Sequence, residues 1–151
     1  MIELYNNEFE NVDENSIAAA LNDFTSSLEK INYDTINTNA KYDTTFNNGF
    51  SYLKNTDIGT MINLCNECKT QIVDQIKTYK SDYQAYKTAY SNYVAAYENY
   101  TSAQETYNQW INNGKKGTKP SIPSQPDPSS VTTAETNLKE LTNKIKNATF
   151  N

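Results

Sequence analysis

The clearest pattern in the sequence is a series of tyrosines spaced alternately by three and four residues along its middle third. This spacing places one face along an α-helix, whereas a β-strand would require alternation at every second residue. Apolar residues continue the same register toward the N-terminus. We call the whole set the tyrosine stripe, and it comprises Ile72, Ile76, Tyr79, Tyr83, Tyr86, Tyr90, Tyr93, Tyr97, Tyr100 and Tyr107.

The stripe predicts one long helix over residues 57–111, about 55 residues at 1.5 Å each. No proline falls inside this segment, and Asp57 is a suitable N-cap residue. The segment is followed by Asn112, Asn113 and Gly114, residue types that tolerate the left-handed conformation in which many helices end.

Shorter elements flank the long helix. Apolar residues at helical spacing predict an N-terminal helix over 14–37, and residues 38–56 are typical of a turn region. A Lys-, Pro- and Ser-rich connector over 112–130 contains four prolines, which exclude helix there. A second apolar stripe predicts a closing helix over 131–149. The sequence thus predicts an all-α fold in one elongated domain over 1–151, a helical hairpin or coiled-coil-like bundle.

The closing helix needs an apolar surface to pack on, and we expect it to fold back along residues 90–111. Trp110, the only tryptophan, lies at the end of the long helix and is expected to anchor this return. The residues predicted to pack in this hairpin are Trp110, Ile111, Leu138, Leu141 and Ile145.

Tyrosine is an unusual residue for a helix–helix seam. The ring is wider than Leu or Ile, and its hydroxyl needs water or a hydrogen-bond partner when it is buried. The two shorter helices are together shorter than the long one, so a single chain leaves part of the stripe uncovered. We expect other protein subunits, in a homo-oligomer or a hetero-assembly, to cover the rest. The alternative is that the stripe forms the core of a three-helix monomer.

Composition removes several classes of function. The chain has no His, every basic residue is Lys, and the net charge is −5. Catalysis by His, Arg-based phosphate recognition and nucleic-acid binding are therefore not expected. No apolar stretch is long enough to span a membrane, and the acidic N-terminus does not match a standard signal peptide, which favours a virion or the host cytoplasm as location.

No group of residues indicates an enzyme, a cofactor or a small-molecule substrate. The carboxylates lie among Lys and Thr as expected of a solvated surface, and no acid–base pair stands out. Cys65 and Cys68 form a CxxC motif inside the long helix. A zinc site would need two further ligands, so we interpret both as small buried apolar residues; a four-cysteine zinc site shared across a dimer is the alternative.

Two functions fit these features. The first is a non-enzymatic structural or assembly protein acting through helix–helix contacts, as a component of a larger particle such as a phage virion. The second follows from the layout of helix, Phe46-Asn47-Asn48-Gly49 turn and longer helix over residues 14–90, which resembles the WXG100-like proteins of type VII secretion. Phe46 stands where that family has Trp, and the aromatic-to-acid spacing of its export signal occurs only at Phe9 and Asp13. The resemblance implies a secreted hairpin acting as substrate or partner chaperone.

Overall fold

In a computed structural model, residues 1–30 and 58–150 are described. Three helices are present in these ranges. α1 is Glu14–Glu29. α2 runs without interruption over 59–112 and consists of Gly59–Cys68, a π-helical turn Lys69–Val73, and Asp74–Asn112. α3 is Ser129–Lys146. The predicted all-helical fold, with a long helix flanked by two shorter ones, is confirmed for this part of the chain, and no strand occurs in it.

The helix boundaries follow from local chemistry. Asp13 begins α1, because its carboxylate accepts hydrogen bonds from the Ser16 N–H at 3.1 Å and the Ser16 hydroxyl at 2.7 Å. α1 covers Glu14–Glu29, with Lys30 as its C-cap. The predicted positions 31–37, the turn region 38–56 and Asp57 lie outside the described residues, as does the Phe46 turn on which the type VII resemblance depends.

The C-terminal boundary of α2 agrees with the sequence pattern. Gly114 and Gly117 adopt positive φ angles of 78° and 81°, and Lys115 one of 61°. The Lys115 N–H donates to the Trp110 carbonyl at 2.9 Å, so the chain leaves the helix in a left-handed turn. The connector then extends to Pro128 without helix.

α3 begins with a local cap. The Asp127 carboxylate accepts hydrogen bonds from both the N–H and the hydroxyl of Ser129. These bonds favour the ionised form and lower the pKa of Asp127. Val131 and Leu138, seven residues apart on the same face of α3, are fully buried.

The packing divides the chain into two compact units. One comprises Met1–Glu10 with Tyr79–Thr142, and the other Asn11–Thr78 with Asn143–Asn151. In the second unit, α1 packs against the 59–73 part of α2. Ile58, Cys65 and Val73 are buried there.

The π-helical turn changes one member of the predicted stripe. An uninterrupted α-helical register places Ile72 on the buried face, yet Ile72 is only half-buried while Val73 is 1% exposed. A π turn accommodates one more residue than an α turn, and it therefore moves the buried position forward by one. Ile76, after the turn, is buried as expected.

Candidate interaction surface

The first half of the tyrosine stripe is covered by the N-terminus of the chain. Residues Met1–Glu10, which we call the arm, contain no helix and lie on α2. Beneath the arm, Tyr79 and Tyr86 have no exposed surface and Tyr83 is buried. We call Tyr79, Tyr83, Tyr86 and Tyr90 the arm-covered half of the stripe.

Tyrosine hydroxyls of α2 bind the backbone of the arm. The Tyr5 N–H donates to the Tyr86 hydroxyl at 2.7 Å, and the Tyr83 hydroxyl donates to the Tyr5 carbonyl at 2.7 Å. Both backbone groups of Tyr5 are thus satisfied by two tyrosines one helical turn apart. The buried hydroxyls of Tyr83 and Tyr86 thus have backbone groups as hydrogen-bond partners, and these two bonds need no polar side chain from another helix.

Two further bonds set the direction of the arm. The Tyr90 hydroxyl donates to the Ile2 carbonyl at 3.3 Å, and the Glu8 N–H donates to the Tyr79 hydroxyl at 3.1 Å. The start of the arm is therefore beside the later tyrosine and its end beside the earlier one. The arm runs antiparallel to α2.

Ring contacts reinforce these bonds. Phe9, the one buried side chain of the arm, meets Tyr79 edge to face with ring centroids 4.8 Å apart. Tyr5 meets Tyr86 edge to face at 6.3 Å. Lys139 of α3 lies over the Tyr5 ring at 5.4 Å from its centroid. These are favoured aromatic and cation–π geometries.

The burial also affects the acidity of the phenols. Burial is the main reason that the pKa values of Tyr5, Tyr83 and Tyr86 are raised. Nearby negative charge adds to this, from Glu10 at Tyr83 and from Glu135 at Tyr86. The neutral hydroxyls of Tyr83 and Tyr86, which bind the arm backbone, are therefore the stable form at neutral pH.

Sequence reasoning gave the arm no role. In the structure, side-chain exposure alternates along the second half of the arm. The covered residues are Tyr5, Asn7 and Phe9, and the exposed ones are Asn6, Glu8 and Glu10. An alternation of three positions that includes an asparagine is too weak to predict an extended segment by itself.

The closing helix lies in a different place from the one we expected. Ala134 and Asn137 of α3 line a shallow cavity of about 260 Å³ with Asp82, Ala85 and Tyr86 of α2. α3 therefore packs beside the arm-covered half rather than along residues 90–111. The connector has no helix before Ser129, and its residues 119–122 lie beside Tyr107, so the chain has already turned back along α2 before α3 begins.

The second half of the stripe has another environment. Tyr93, Tyr97, Tyr100 and Tyr107, which we call the connector half, are only half-buried. Neighbouring rings contact each other, with centroids 6.0 Å apart for Tyr93–Tyr97 and 6.3 Å for Tyr97–Tyr100. Among the described residues, no hydrogen bond involves the hydroxyl of Tyr93 or Tyr97.

The connector packs on the end of this half. Tyr107 and the connector residues 119–122 line an open groove of about 460 Å³, and Lys119 lies 5.9 Å from the centre of the Tyr107 ring. The ring centroids of Trp110 and Tyr107 are 5.8 Å apart, and the Trp110 indole N–H donates to the Gly117 carbonyl at 3.4 Å. Trp110 thus holds the turn of the connector.

The five residues predicted to pack together in the hairpin have different surroundings, and Ile145 belongs to the other compact unit. Trp110 lies on the connector turn and Leu138 on the part of α3 beside Tyr86. Ile111 is 39% exposed, whereas Leu138 and Ile145 are buried. Leu141 is half-buried.

Other candidate chemistry adds nothing to this surface. Cys65 and Cys68 are free thiols, the first buried and the second half-buried. Within residues 1–30 and 58–150, no group of three metal-binding side chains occurs, and no helix has the length and apolar character needed to cross a membrane. Comparison with family models, with curated proteins and with solved structures found no match to this chain.

Proposed function

We propose that this protein is a non-enzymatic assembly protein whose connector half is completed by other protein subunits. The observation that carries the proposal is the row of half-buried tyrosines from Tyr93 to Tyr107. Their rings are already packed against each other, and the hydroxyls of Tyr93 and Tyr97 have no partner among the described residues.

Such a surface is suited to binding protein. Tyr buries a large area with little loss of conformational entropy, and it is enriched where proteins contact each other. The three lysines of the connector turn, Lys115, Lys116 and Lys119, are exposed at one end of the row. They supply a positively charged rim for a partner with acidic residues.

The particle that we propose is a virion, with this chain as a subunit or accessory component. Support comes from the small size, the use of Lys without any Arg, and a tyrosine surface that a single chain covers only in part. The test is to detect the chain by mass spectrometry in gradient-purified particles. Its absence from such particles, with all of it in the soluble fraction, would contradict this placement.

The contact surface is tested separately. Tyr97→Lys places a charge in the middle of the connector half and is expected to weaken assembly by about tenfold or more. Asn99→Lys introduces the same residue two positions away, at an exposed site, and serves as the control. Mass photometry and sedimentation of the purified protein, alone and with its co-purifying partners, measure the effect. Equal assembly by the two variants would rule out the connector half as the interface.

A further inference from the structure

The connector half carries the same chemical groups with which the arm-covered half binds a backbone. In the arm-covered half, the hydroxyls of Tyr83 and Tyr86 bind the carbonyl and the N–H of Tyr5, each at 2.7 Å. In the connector half, the rings of Tyr93 and Tyr97 are half-buried, and their hydroxyls have no hydrogen bond among the described residues. A tyrosine hydroxyl both donates and accepts, so these two are able to bind main-chain carbonyl and N–H groups in the same way.

The arm also shows how long a segment such a surface holds. Its bonds at Ile2 and Glu8 reach tyrosines that lie eleven residues apart on α2, so six steps of the arm cover about 16 Å of helix. This pace is close to that of an extended chain, which advances about 3.3 Å per residue. Tyr93 and Tyr107 are fourteen residues apart, about 21 Å of helix. An extended segment of about seven residues therefore covers the connector half.

The charge beside the connector half indicates which kind of segment fits it. Lys115, Lys116 and Lys119 are exposed, and residues 106–126 contain no Asp or Glu. None of the three lysines forms an ion pair with another described residue. The whole chain has a net charge of −5, so this positive turn is an exception within an acidic protein. At physiological salt, such a turn attracts carboxylates that come within a Debye length of about 8 Å.

We propose that the connector half binds an extended, acidic segment of another protein, with its backbone on the tyrosine hydroxyls and its carboxylates on the connector lysines. This inference rests on the proposed function and names the chemistry of the partner for the same surface. The hydroxyls bind main-chain groups of any sequence, and the lysines select for negative charge at one end of the segment. Proline above the tyrosines is disfavoured, because it has no N–H to donate.

The first experiment determines which peptides the full chain selects. A displayed library of random peptides of about ten residues, slightly longer than the connector half requires, is passed over the immobilised native protein. Peptides that the Tyr97→Ala variant retains equally well are discarded, since they bind elsewhere on the chain. We expect the remaining peptides to be enriched in Asp and Glu at one end and depleted of Pro in the rest of their length.

The second experiment measures the affinity of one selected peptide, labelled with fluorescein, by fluorescence anisotropy. Lys116→Ser is expected to weaken binding about threefold and to reduce its salt dependence, whereas Lys87→Ser removes an exposed lysine of α2 outside this surface and serves as the control. Tyr97→Phe keeps the ring and removes the hydroxyl, and it is expected to weaken binding about fivefold. Methylation of the peptide's backbone N–H groups keeps every side chain and is expected to weaken binding about tenfold or more.

The opposing outcomes separate this inference from the proposed function. Selected peptides without an excess of Asp and Glu, or an affinity that neither Lys116→Ser nor backbone methylation changes, overturn the extended acidic segment. So does a native chain that selects no peptide, and self-association that Tyr97→Lys abolishes would then identify a second copy as the occupant. In each of these cases, loss of assembly in Tyr97→Lys but not in Asn99→Lys still supports the connector half as the interface. Equal assembly by those two variants contradicts the proposed function itself.

Discussion

The two halves of the tyrosine stripe have the same residue at similar spacing, yet three of the four rings are buried in the arm-covered half and all four are half-buried in the connector half. In the arm-covered half, the hydroxyls bind the N–H and carbonyl groups of an extended segment. In the connector half, the connector lies beside Tyr107, and four of its residues, Pro120, Pro123, Pro126 and Pro128, have no N–H to donate. The comparison indicates that a tyrosine seam becomes core where the segment above it offers both backbone donors and acceptors.

The largest effect is expected from a pair of substitutions that removes one tyrosine ring from each half. Tyr86→Ala deletes a fully buried side chain and leaves the Tyr5 N–H unpaired, so we expect a loss of about 3–5 kcal/mol in the free energy of unfolding. Tyr100→Ala deletes a half-buried ring and is expected to cost about 1–2 kcal/mol. Urea unfolding followed by circular dichroism measures both. Equal losses would show that the halves do not differ in packing.

The second test uses pH. The raised pKa values of Tyr5, Tyr83 and Tyr86 mean that the folded state holds these protons more tightly than the unfolded state, whose Tyr pKa is near 10.0. Their contribution to stability is complete below that value and is lost as the pH rises above it. Urea midpoints between about pH 9 and about pH 12 are therefore expected to fall with rising pH.

A double variant assigns the alkaline effect. Tyr83→Phe with Tyr86→Phe removes two of the groups whose pKa values are raised, and it is expected to flatten the decline. A decline as steep as that of the native chain would contradict our assignment.

The third test concerns two buried hydroxyls. Thr142 is 4% exposed, and its hydroxyl faces the phenol of Tyr5, whose pKa it lowers. Among the described residues, neither hydroxyl has a hydrogen bond to any other group. Thr142→Val removes the polar group that faces the Tyr5 phenol, so we expect a loss of about 1 kcal/mol in the free energy of unfolding. Thr133→Val, at an exposed position of the same helix, is the control and should change little. A gain of stability in Thr142→Val would show that the two hydroxyls do not bond each other.

The smallest effect is expected at the connector turn. Trp110→Ala removes the half-buried indole and its long hydrogen bond to Gly117, so the turn loosens while global stability falls by less than about 1 kcal/mol. Limited trypsin digestion after Lys115 and Lys116 should become faster. An unchanged digestion rate would exclude Trp110 as the anchor of the turn.

The long helix was predictable because its pattern is long and regular. Eight tyrosines in one register, and Asn-Asn-Gly after them, place its end within a residue of the observed Asn112. Strong periodicity over many turns outweighs local uncertainty.

The features that escaped prediction depend on tertiary packing. Ile72 and Val73 are adjacent apolar residues, and only the π turn decides which one is buried. The arm depends on hydrogen bonds between residues about eighty positions apart, such as Tyr5 and Tyr86. No local pattern reports such pairings. The position of α3 depends on the course of the connector. The prolines exclude helix in the connector, but they do not determine the direction in which it runs.

Recognition of the arm through its backbone has an evolutionary consequence. Ile2, Tyr5 and Glu8 present main-chain atoms to α2, and a main chain is the same whichever side chains it carries. Substitutions at the exposed positions of the arm therefore leave its binding site on the helix intact. The physical constraint on sequence therefore falls on the tyrosines of the helix, and the outer surface of the arm tolerates a wider range of side chains.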